Sequence, residues 1–396
     1  SFFGNRIEWY ENIDQVFTRH ALTFSGSDCR FILAVDLDGD GDQDFLVASS
    51  SNNFGVAWME NDGSQGFTAH SITNTVSGAK SVFAIDVNGD GSMDVLSASA
   101  NDDTIAWYEN DGNQVFTKHE ITTVADGAVS VFAIDVDNDG DIDVLSASSD
   151  DNTIAWYENN GSQVFTKHDI TTAATDAYFV YAIDLDRDGD IDVLSASPGD
   201  NTISWYENNG SQVFTKHDIT TTAIGARSVF AIDLDNDGDI DVLSASAGDH
   251  TIAWYENNGS QVFTKHIISS TAFAAWSIVA ADMDGDGFTD VLAASADDST
   301  VAWYMNNGNQ VFSKLTVSTT ASGTSSILAI DMNKDNSLDV VSANYYSDSL
   351  VWYENGMQPA GADFSQSTEM IIRTTPSNLY TVHAADIDGD GDMDIA

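Results

Sequence analysis

Short apolar runs alternate with polar turns along the chain, in an order that recurs. In one unit, residues 130–135 (SVFAID) form a β-rich apolar run, 135–143 (DVDNDGDID) an acidic loop and 144–148 (VLSAS) a second run. A polar turn at 149–152 leads to a third run at 153–159 (TIAWYEN), with Ile154 and Trp156 on one face and Ala155 and Tyr157 on the other. Asn160-Gly161 is a two-residue hairpin signal, and 164–170 (VFTKHDI) is a fourth run. No stretch shows the three-and-four spacing of a helix, so the pattern predicts four short strands per unit. The first three are apolar on both faces, as in sheets packed against neighbouring sheets. The fourth carries Arg19, Lys118, Lys167, Lys216, Lys265 and Lys314, charges that discourage pairing at an outer edge.

The unit is a tandem repeat. Its third-strand Trp stands at Trp9, Trp58, Trp107, Trp156, Trp205, Trp254, Trp303 and Trp352, every step being 49 residues. Eight four-stranded units predict an all-β fold, an eight-bladed β-propeller forming a single domain over 1–396. The chain begins with third and fourth strands and ends with first and second ones. Segments 1–24 and 371–396 are therefore expected to complete one split blade and close the ring. Two other arrangements stay open: a cut from a longer array, or half blades that complete their neighbours and build a filament. One irregular stretch, 356–370, lengthens the last repeat.

Composition narrows the picture. Apolar residues at 42% and aromatics at 10% exclude a disordered chain. Cys29 is the single cysteine, so an internal disulfide and a cysteine zinc cluster are both excluded; it reads as a small core residue. No run of about 18 apolar residues occurs. The opening Ser-Phe-Phe-Gly lacks the basic and apolar regions of a signal peptide, so a leader is expected to have been removed or to lie outside this chain. With 63 acidic and 13 basic residues the net charge is −50, which repels nucleic acid and anionic lipid and calls for cations.

The acids are placed rather than spread, since 35 of the 63 fall in the eight acidic loops. Each loop spans nine residues, with candidate cation ligands at positions 1, 3, 5, 7 and 9; position 7 offers its backbone carbonyl. They are Asp36, Asp38, Asp40, Asp42 and Asp44; Asp86, Asn88, Asp90, Ser92 and Asp94; Asp135, Asp137, Asp139, Asp141 and Asp143; Asp184, Asp186, Asp188, Asp190 and Asp192. In the second half they are Asp233, Asp235, Asp237, Asp239 and Asp241; Asp282, Asp284, Asp286, Phe288 and Asp290; Asp331, Asn333, Asp335, Ser337 and Asp339; Asp386, Asp388, Asp390, Asp392 and Asp394. Position 6 is usually Gly, for a sharp turn. Six to eight hard oxygens suit Ca²⁺, up to eight ions in all, better than Mg²⁺ with its rigid octahedron and retained waters. The spacing opens like an EF-hand loop, but no Glu stands at position 12, so position 9 is expected to be the bidentate ligand. Acidic turns alone do not explain the density: two carboxylates about 5 Å apart repel by roughly 0.8 kcal/mol even in water.

The motifs DVDNDGDID, VLSAS and WYEN together resemble FG-GAP/VCBS-type repeats, the family that includes the propeller of integrin alpha subunits. The resemblance implies a calcium-bearing extracellular propeller, secreted or at the cell surface, used in adhesion, recognition or scaffolding, with a protein or glycan partner or copies of itself in a polymer. Seven blades are usual in the integrin-like members, whereas this sequence counts eight.

One position varies while its neighbours do not. Six residues before each loop stand Arg30, Lys80, Val129, Tyr178, Arg227, Trp276, Ser325 and Tyr380. The pattern places them where the fourth strand hands over to the next first strand, at a channel mouth opposite the acidic loops. Arg30, Lys80, Tyr178, Arg227, Trp276 and Tyr380 are the candidate ligand-binding residues for a glycan or acidic polymer, with Phe54, His250, Tyr345 and Tyr346 from nearby turns. A non-enzymatic role is expected, with lectin-like binding and a calcium-dependent polysaccharide lyase as alternatives. Six of the eight His residues (His20, His70, His119, His168, His217, His266) occupy one repeated site, which points to structure, because an active site needs only one. The sequons at Asn160, Asn209 and Asn258 coincide with the hairpin turns and would carry glycans in a eukaryotic secretory setting.

Overall fold

The computed structural model describes residues 6–13, 16–23, 29–41, 43–49, 55–62, 67–331, 337–344, 346, 349–353, 355, 369–371, 382, 384–385 and 394–395. Outside them lie Asp42, Asn333, Asp335, Asp386, Asp388, Asp390, Asp392, Phe54, Tyr345, Tyr380, His383 and most of the irregular stretch at 356–370. The side chains of Trp9, Arg19, His20, Cys29, Trp352 and Asp394 are likewise outside the description.

Among the described residues every regular element is a strand, and the strands form eight antiparallel four-stranded sheets. In seven of them the strands follow chain order. They are numbered here by their acidic loops: sheet 1 covers 29–73, sheet 2 79–122, sheet 3 128–171, sheet 4 179–220, sheet 5 226–269, sheet 6 275–318 and sheet 7 324–371. Sheet 8 joins the two ends of the chain: Arg6–Ile13 pairs with Asp394–Ile395 through Tyr10 and Ile395, with Val16–Thr23 and Ala384–Ala385 on the outsides.

Sheet 3 shows the register. Its strands are Ala128–Ile134, Asp143–Ser148, Thr153–Asn159 and Phe165–Thr171. Trp156 lies opposite Leu145 on one side and His168 on the other. The second strand is buried along its whole length and the third nearly so, while the fourth is largely half-buried or exposed. This is the gradient expected of sheets stacked on both faces with a wet outer edge. The pattern is off by one or two residues at the first strand, which begins at Ala128 because a bulge between Ala128 and Ser130 breaks the alternation.

The strands group into two compact units, one containing 22–221 and the other 222–386 with 8–21 and 390–396. In the first, consecutive sheets share apolar clusters: Trp107 and Leu96 of sheet 2 pack with Val131 and Tyr157 of sheet 3, and Trp156 and Leu145 of sheet 3 with Val180 and Tyr206 of sheet 4. In the second, Trp254 and Leu243 pack with Ile278 and Tyr304 in the same way. The Tyr hydroxyls bury against the Ser of the second strand, as in Ser146–Tyr157 at 3.3 Å and Ser97–Tyr108 at 3.1 Å. Truncating one of these Trp residues to Ala costs about 3–5 kcal/mol.

Candidate metal centre

Each described acidic loop links the first and second strands of its sheet, at the same end as the hairpin between the third and fourth. In loop 3 the backbone wraps around its own carboxylates. Asp135 accepts the Asp139 N–H at Oδ1 (3.1 Å) and the Gly140 N–H at Oδ2 (2.9 Å). Asp137 Oδ1 also accepts from Asp139 N–H (3.3 Å), and Asp139 Oδ1 from Asp141 N–H (2.9 Å). The turn needs positive φ at two positions. Gly140 at position 6 has φ +96°, as expected, and Asn138 at position 4 has +60°. The second requirement was not read from the sequence, although Gly39, Gly89, Asn138, Asn236 and Gly285 at position 4 carry its signal. Arg187 accepts the same conformation at +62°, at some strain for a side chain with no local hydrogen-bonding habit.

Position 9 lies deepest. Asp143 is fully buried; its Oδ2 accepts the Val136 N–H (3.1 Å) and its Oδ1 the Asn159 N–H (2.7 Å). Asp44, Asp94, Asp192, Asp241 and Asp290 repeat the pair, and Asp339 accepts from Asn355. Both oxygens of position 9 are thus engaged once by backbone before any ion is considered, and each retains one lone pair. Burial pushes the Asp143 carboxyl up to about 7, partly offset by the Asn159 N–H, the Trp156 indole and the Val136 N–H. The Trp156 indole N–H acts on the carboxyl without closing a full hydrogen bond. Asp44, Asp192, Asp241 and Asp290 are likewise raised by burial to about 7. Position 3 is also raised, first by burial and then by neighbouring carboxylates, at Asp38, Asp137, Asp186, Asp235 and Asp284.

The loops bring these groups together. One carboxylate oxygen from each of Asp135, Asp137 and Asp143 lies within 4.8 Å of the others, and the same holds for Asp184, Asp186 and Asp192, for Asp233, Asp235 and Asp241, and for Asp282, Asp284 and Asp290. In loop 1 the close trio is Asp36, Asp38 and Asp40. Loop 2 has Asn88 at position 3, where its Nδ2 donates to Asp90 Oδ2 (3.1 Å). At this spacing each carboxylate pair repels by roughly 1 kcal/mol in water and about 3.5 at an effective dielectric of 20. The oxygens also have capacity to spare: Oδ1 of Asp184 and Oδ1 of Asp233 are buried with no hydrogen bond. A hard divalent cation fits such an all-oxygen, anionic and partly dry donor set.

The neighbouring hairpin is shaped to the loop. A Cβ on Gly161 would sit 2.5 Å from Asp141 Oδ2, so position 7 packs over the hairpin glycine. Asn160 Oδ1 accepts the Ser162 and Val164 N–H groups, which is the turn role its sequence suggests.

The repeated histidines have structural partners. His168 stacks on Trp156 at 4.7 Å and its Nε2 lies 2.7 Å from Glu158 Oε2. His70, His119, His217 and His266 repeat both contacts. In sheet 6 the pair changes together, to Leu315 and Met305, which pack into the apolar cluster. His250 adopts φ +61° and its Nδ1 accepts the Ala274 N–H, as Asp103 and Asn152 do from Gly127 and Asp176.

In sheets 1 to 7 the variable position lies at the end of the sheet away from the acidic loop. Arg30, Lys80, Val129, Arg227, Trp276 and Ser325 are inside the first strands, not in the connection before them. Each is the extra residue of a β-bulge, as the register shifts at Cys29/Phe31, Ala79/Ser81, Ala128/Ser130, Ala226/Ser228, Ala275/Ser277 and Thr324/Ser326 record. Tyr178 precedes its strand and is 40% exposed. The bulge frees these side chains from the core alternation, which accounts for their variety. Arg227 lies over the Trp276 ring at 5.8 Å.

A profile of the FG-GAP-like repeat matches seven overlapping stretches, 36–97, 86–146, 135–195, 184–244, 233–293, 282–342 and 331–396. This chain belongs to the FG-GAP-like repeat family. No match was found among curated protein sequences. Among solved structures, this FG-GAP-like chain is similar to a lectin from Agrocybe aegerita described for recognition of non-reducing terminal N-acetylglucosamine. That match has 15% identity and a TM-score of 0.56, covering 87% of this chain and 94% of the lectin. A protein from Lactobacillus plantarum gives 12% identity, coverage of 85% and 97%, and a TM-score of 0.55. Catalytically inactive virginiamycin B lyase from Staphylococcus aureus, with quinupristin, gives 14%, 81% and 93%, and 0.52. At such identity the likeness concerns the fold alone, a propeller-like array of four-stranded sheets.

Proposed function

We propose that this FG-GAP-like chain is a calcium-binding extracellular β-propeller of eight blades, closed by its own two ends, serving as a structural or adhesive module of a secreted or cell-surface assembly. One observation carries the reading: three carboxylate oxygens converge in each of five loops, with buried oxygens of Asp184 and Asp233 left without hydrogen bonds. Positions 1, 3, 5 and 9 would hold the ion through side chains and position 7 through its carbonyl. The ion would supply positive charge where the fold has concentrated negative charge. Eight divalent ions add sixteen charges and would move the net charge from −50 to −34. With dissociation constants of about 0.1–1 mM, as in extracellular modules, each site adds roughly 0.4–1.4 kcal/mol at 1 mM calcium. The sheet shared by the chain ends supports closure within one chain. Partners are then an extracellular protein or glycan, or further copies in a polymer. Thermal unfolding with calcium and with a chelator tests this, and an unchanged midpoint would remove the calcium reading.

A second reading has the bulge positions bind glycans in a lectin-like way. The Arg227–Trp276 pair favours it, since a guanidinium beside an aromatic ring suits a sugar bearing an acid group. A glycan array with the parent chain and Trp276→Ala separates the two, because a pure scaffold gives no saturable signal. The non-enzymatic reading is supported by the structural partners of the repeated histidines and of His250.

A further inference from the structure

We infer that loops 3 and 4 act as a coupled pair, with Asn138 and Asn208 as positioning residues that make a cation in one loop strengthen binding in the other. The inference rests on the calcium reading above and concerns how the sites talk to each other. Two side-chain amides cross between the loops in opposite directions. Asn138, at position 4 of loop 3, donates its Nδ2–H to the Gly189 carbonyl of loop 4 at 3.0 Å. Asn208, at the end of the third strand of sheet 4, donates its Nδ2–H to the Val136 carbonyl of loop 3 at 3.4 Å and to the Ile191 carbonyl of loop 4 at 3.2 Å. Asn208 is 1% exposed, so its donors have no water to fall back on and hold their partners firmly.

The Asn138 bridge ends on a peptide that already grips a candidate ligand, and the Asn208 bridge on a residue, Val136, that does. The Gly189–Asp190 peptide accepts Asn138 at its carbonyl and donates its N–H to Asp188 Oδ1 at 2.9 Å. Gly189 donates its own N–H to Asp184 Oδ2 at 3.1 Å. On the other bridge, Val136 donates to Asp143 Oδ2, while the Asn208 N–H donates to Asp192 Oδ1 at 2.8 Å. The two position-9 carboxylates are therefore joined through Val136 and Asn208 by a contiguous network. A cation that fixes Asp135, Asp137 and Asp139 also fixes Asn138 between them, and with it the Gly189 peptide. The ordering needed by the second loop is then largely done before its ion arrives, which is positive cooperativity without a large movement.

Among the described residues, both crossings together mark this pair: Asn236 of loop 5 reaches the Gly287 carbonyl of loop 6 at 3.3 Å and Asn110 the Leu37 carbonyl of loop 1 at 3.4 Å, each as a single bridge. Loops 1, 2 and 6 have Gly39, Gly89 and Gly285 at position 4, with φ of +76°, +70° and +68° and no side chain to reach across. Asn138→Gly is thus compatible with the backbone and deletes one bridge, while Asn208→Ala deletes the other and keeps the backbone N–H.

The experiment is native mass spectrometry of the full chain across a calcium titration, counting bound ions per molecule. It compares the parent, a loop 3 knockout (Asp137→Ala with Asp139→Ala), and the same knockout in an Asn138→Gly/Asn208→Ala background. Circular dichroism in saturating calcium selects variants that keep the strand signal, and Asn138→Gly alone replaces the double background if Asn208→Ala does not fold. With coupling, the loop 3 knockout loses well over half an ion at half-saturating calcium, because loop 4 empties with it, and one ion at saturation. In the bridge-deleted background it loses only loop 3's own share, about half an ion at half-saturation and one at saturation. Coupling of the usual strength weakens loop 4 by roughly five-fold or more when loop 3 is empty. The same loss in both backgrounds at every concentration, about half an ion at half-saturation and one at saturation, overturns the coupling and leaves the calcium reading standing. A parent chain that binds no calcium overturns both.

Discussion

Proton release is where the buried position-9 carboxylates should declare themselves. The perturbation is pH, and the magnitude follows from the carboxyls that burial raises to about 7 at Asp44, Asp143, Asp192, Asp241 and Asp290. A carboxyl with that pKa is about 90% protonated at pH 6 and about 10% at pH 8, and an ion must displace the proton to use the oxygen. Apparent calcium affinity at these loops should therefore fall about tenfold from pH 8 to pH 6, where an ordinary carboxylate near 3.8 would change by about 1%. At pH 7 each such loop should release about half a proton per ion, between two and three for the five loops together. The sign for stability follows too. The folded pKa lies above the unfolded one, so the metal-free fold binds more protons between about pH 4 and pH 7 and loses stability as pH rises through that window. In chelator the protein should melt higher at pH 5 than at pH 8, and millimolar calcium should narrow that gap by raising the pH 8 midpoint more than the pH 5 one. Isothermal titration calorimetry in buffers of different ionisation enthalpy counts the protons. Calcium binding with the same affinity at pH 6 and 8 and no buffer dependence would refute the burial argument.

Other consequences are sharper for single residues. Trp156→Ala should lower stability by about 3–5 kcal/mol, measured by denaturant unfolding in calcium, because it opens the interface between sheets 3 and 4. Gly161→Ala should destabilise and also weaken calcium binding to loop 3, since the new Cβ meets Asp141 Oδ2; a melt shift with unchanged ion count would show the hairpin and loop to be separate. His168→Leu with Glu158→Met, the pair that sheet 6 uses, should fold with a melting point near the parent's, whereas either change alone should cost on the order of 1 kcal/mol.

The sequence makes the repeat legible because its devices are local. A run such as TIAWYEN needs only period-two alternation to be read as a strand, and Thr153–Asn159 is the strand found. Asn160-Gly161 and the nine-residue acidic loops are equally self-announcing. What escapes is whatever depends on a partner far along the chain. The bulge at Val129 arises from pairing with Ser148 and Ala147, so the strand was read as starting late and the variable residues were placed in a connection. The double duty of Asp143, bonded to Val136 and Asn159, is invisible in a motif that shows only its spacing. The same is true of Asn208, whose amide reaches a carbonyl 72 residues away. Position 4 was the avoidable miss, because Gly and Asn recur there as they do at other left-handed positions.

The central claim is a ring closed by one chain whose acidic loops hold calcium. Cryo-electron microscopy of the purified chain in millimolar calcium tests both halves at once. The account predicts discrete single-chain rings of eight sheets, with ion density inside the acidic loops between positions 1, 3 and 9. Open arcs, filaments joined through half sheets, or well-defined loops with no ion density would contradict it.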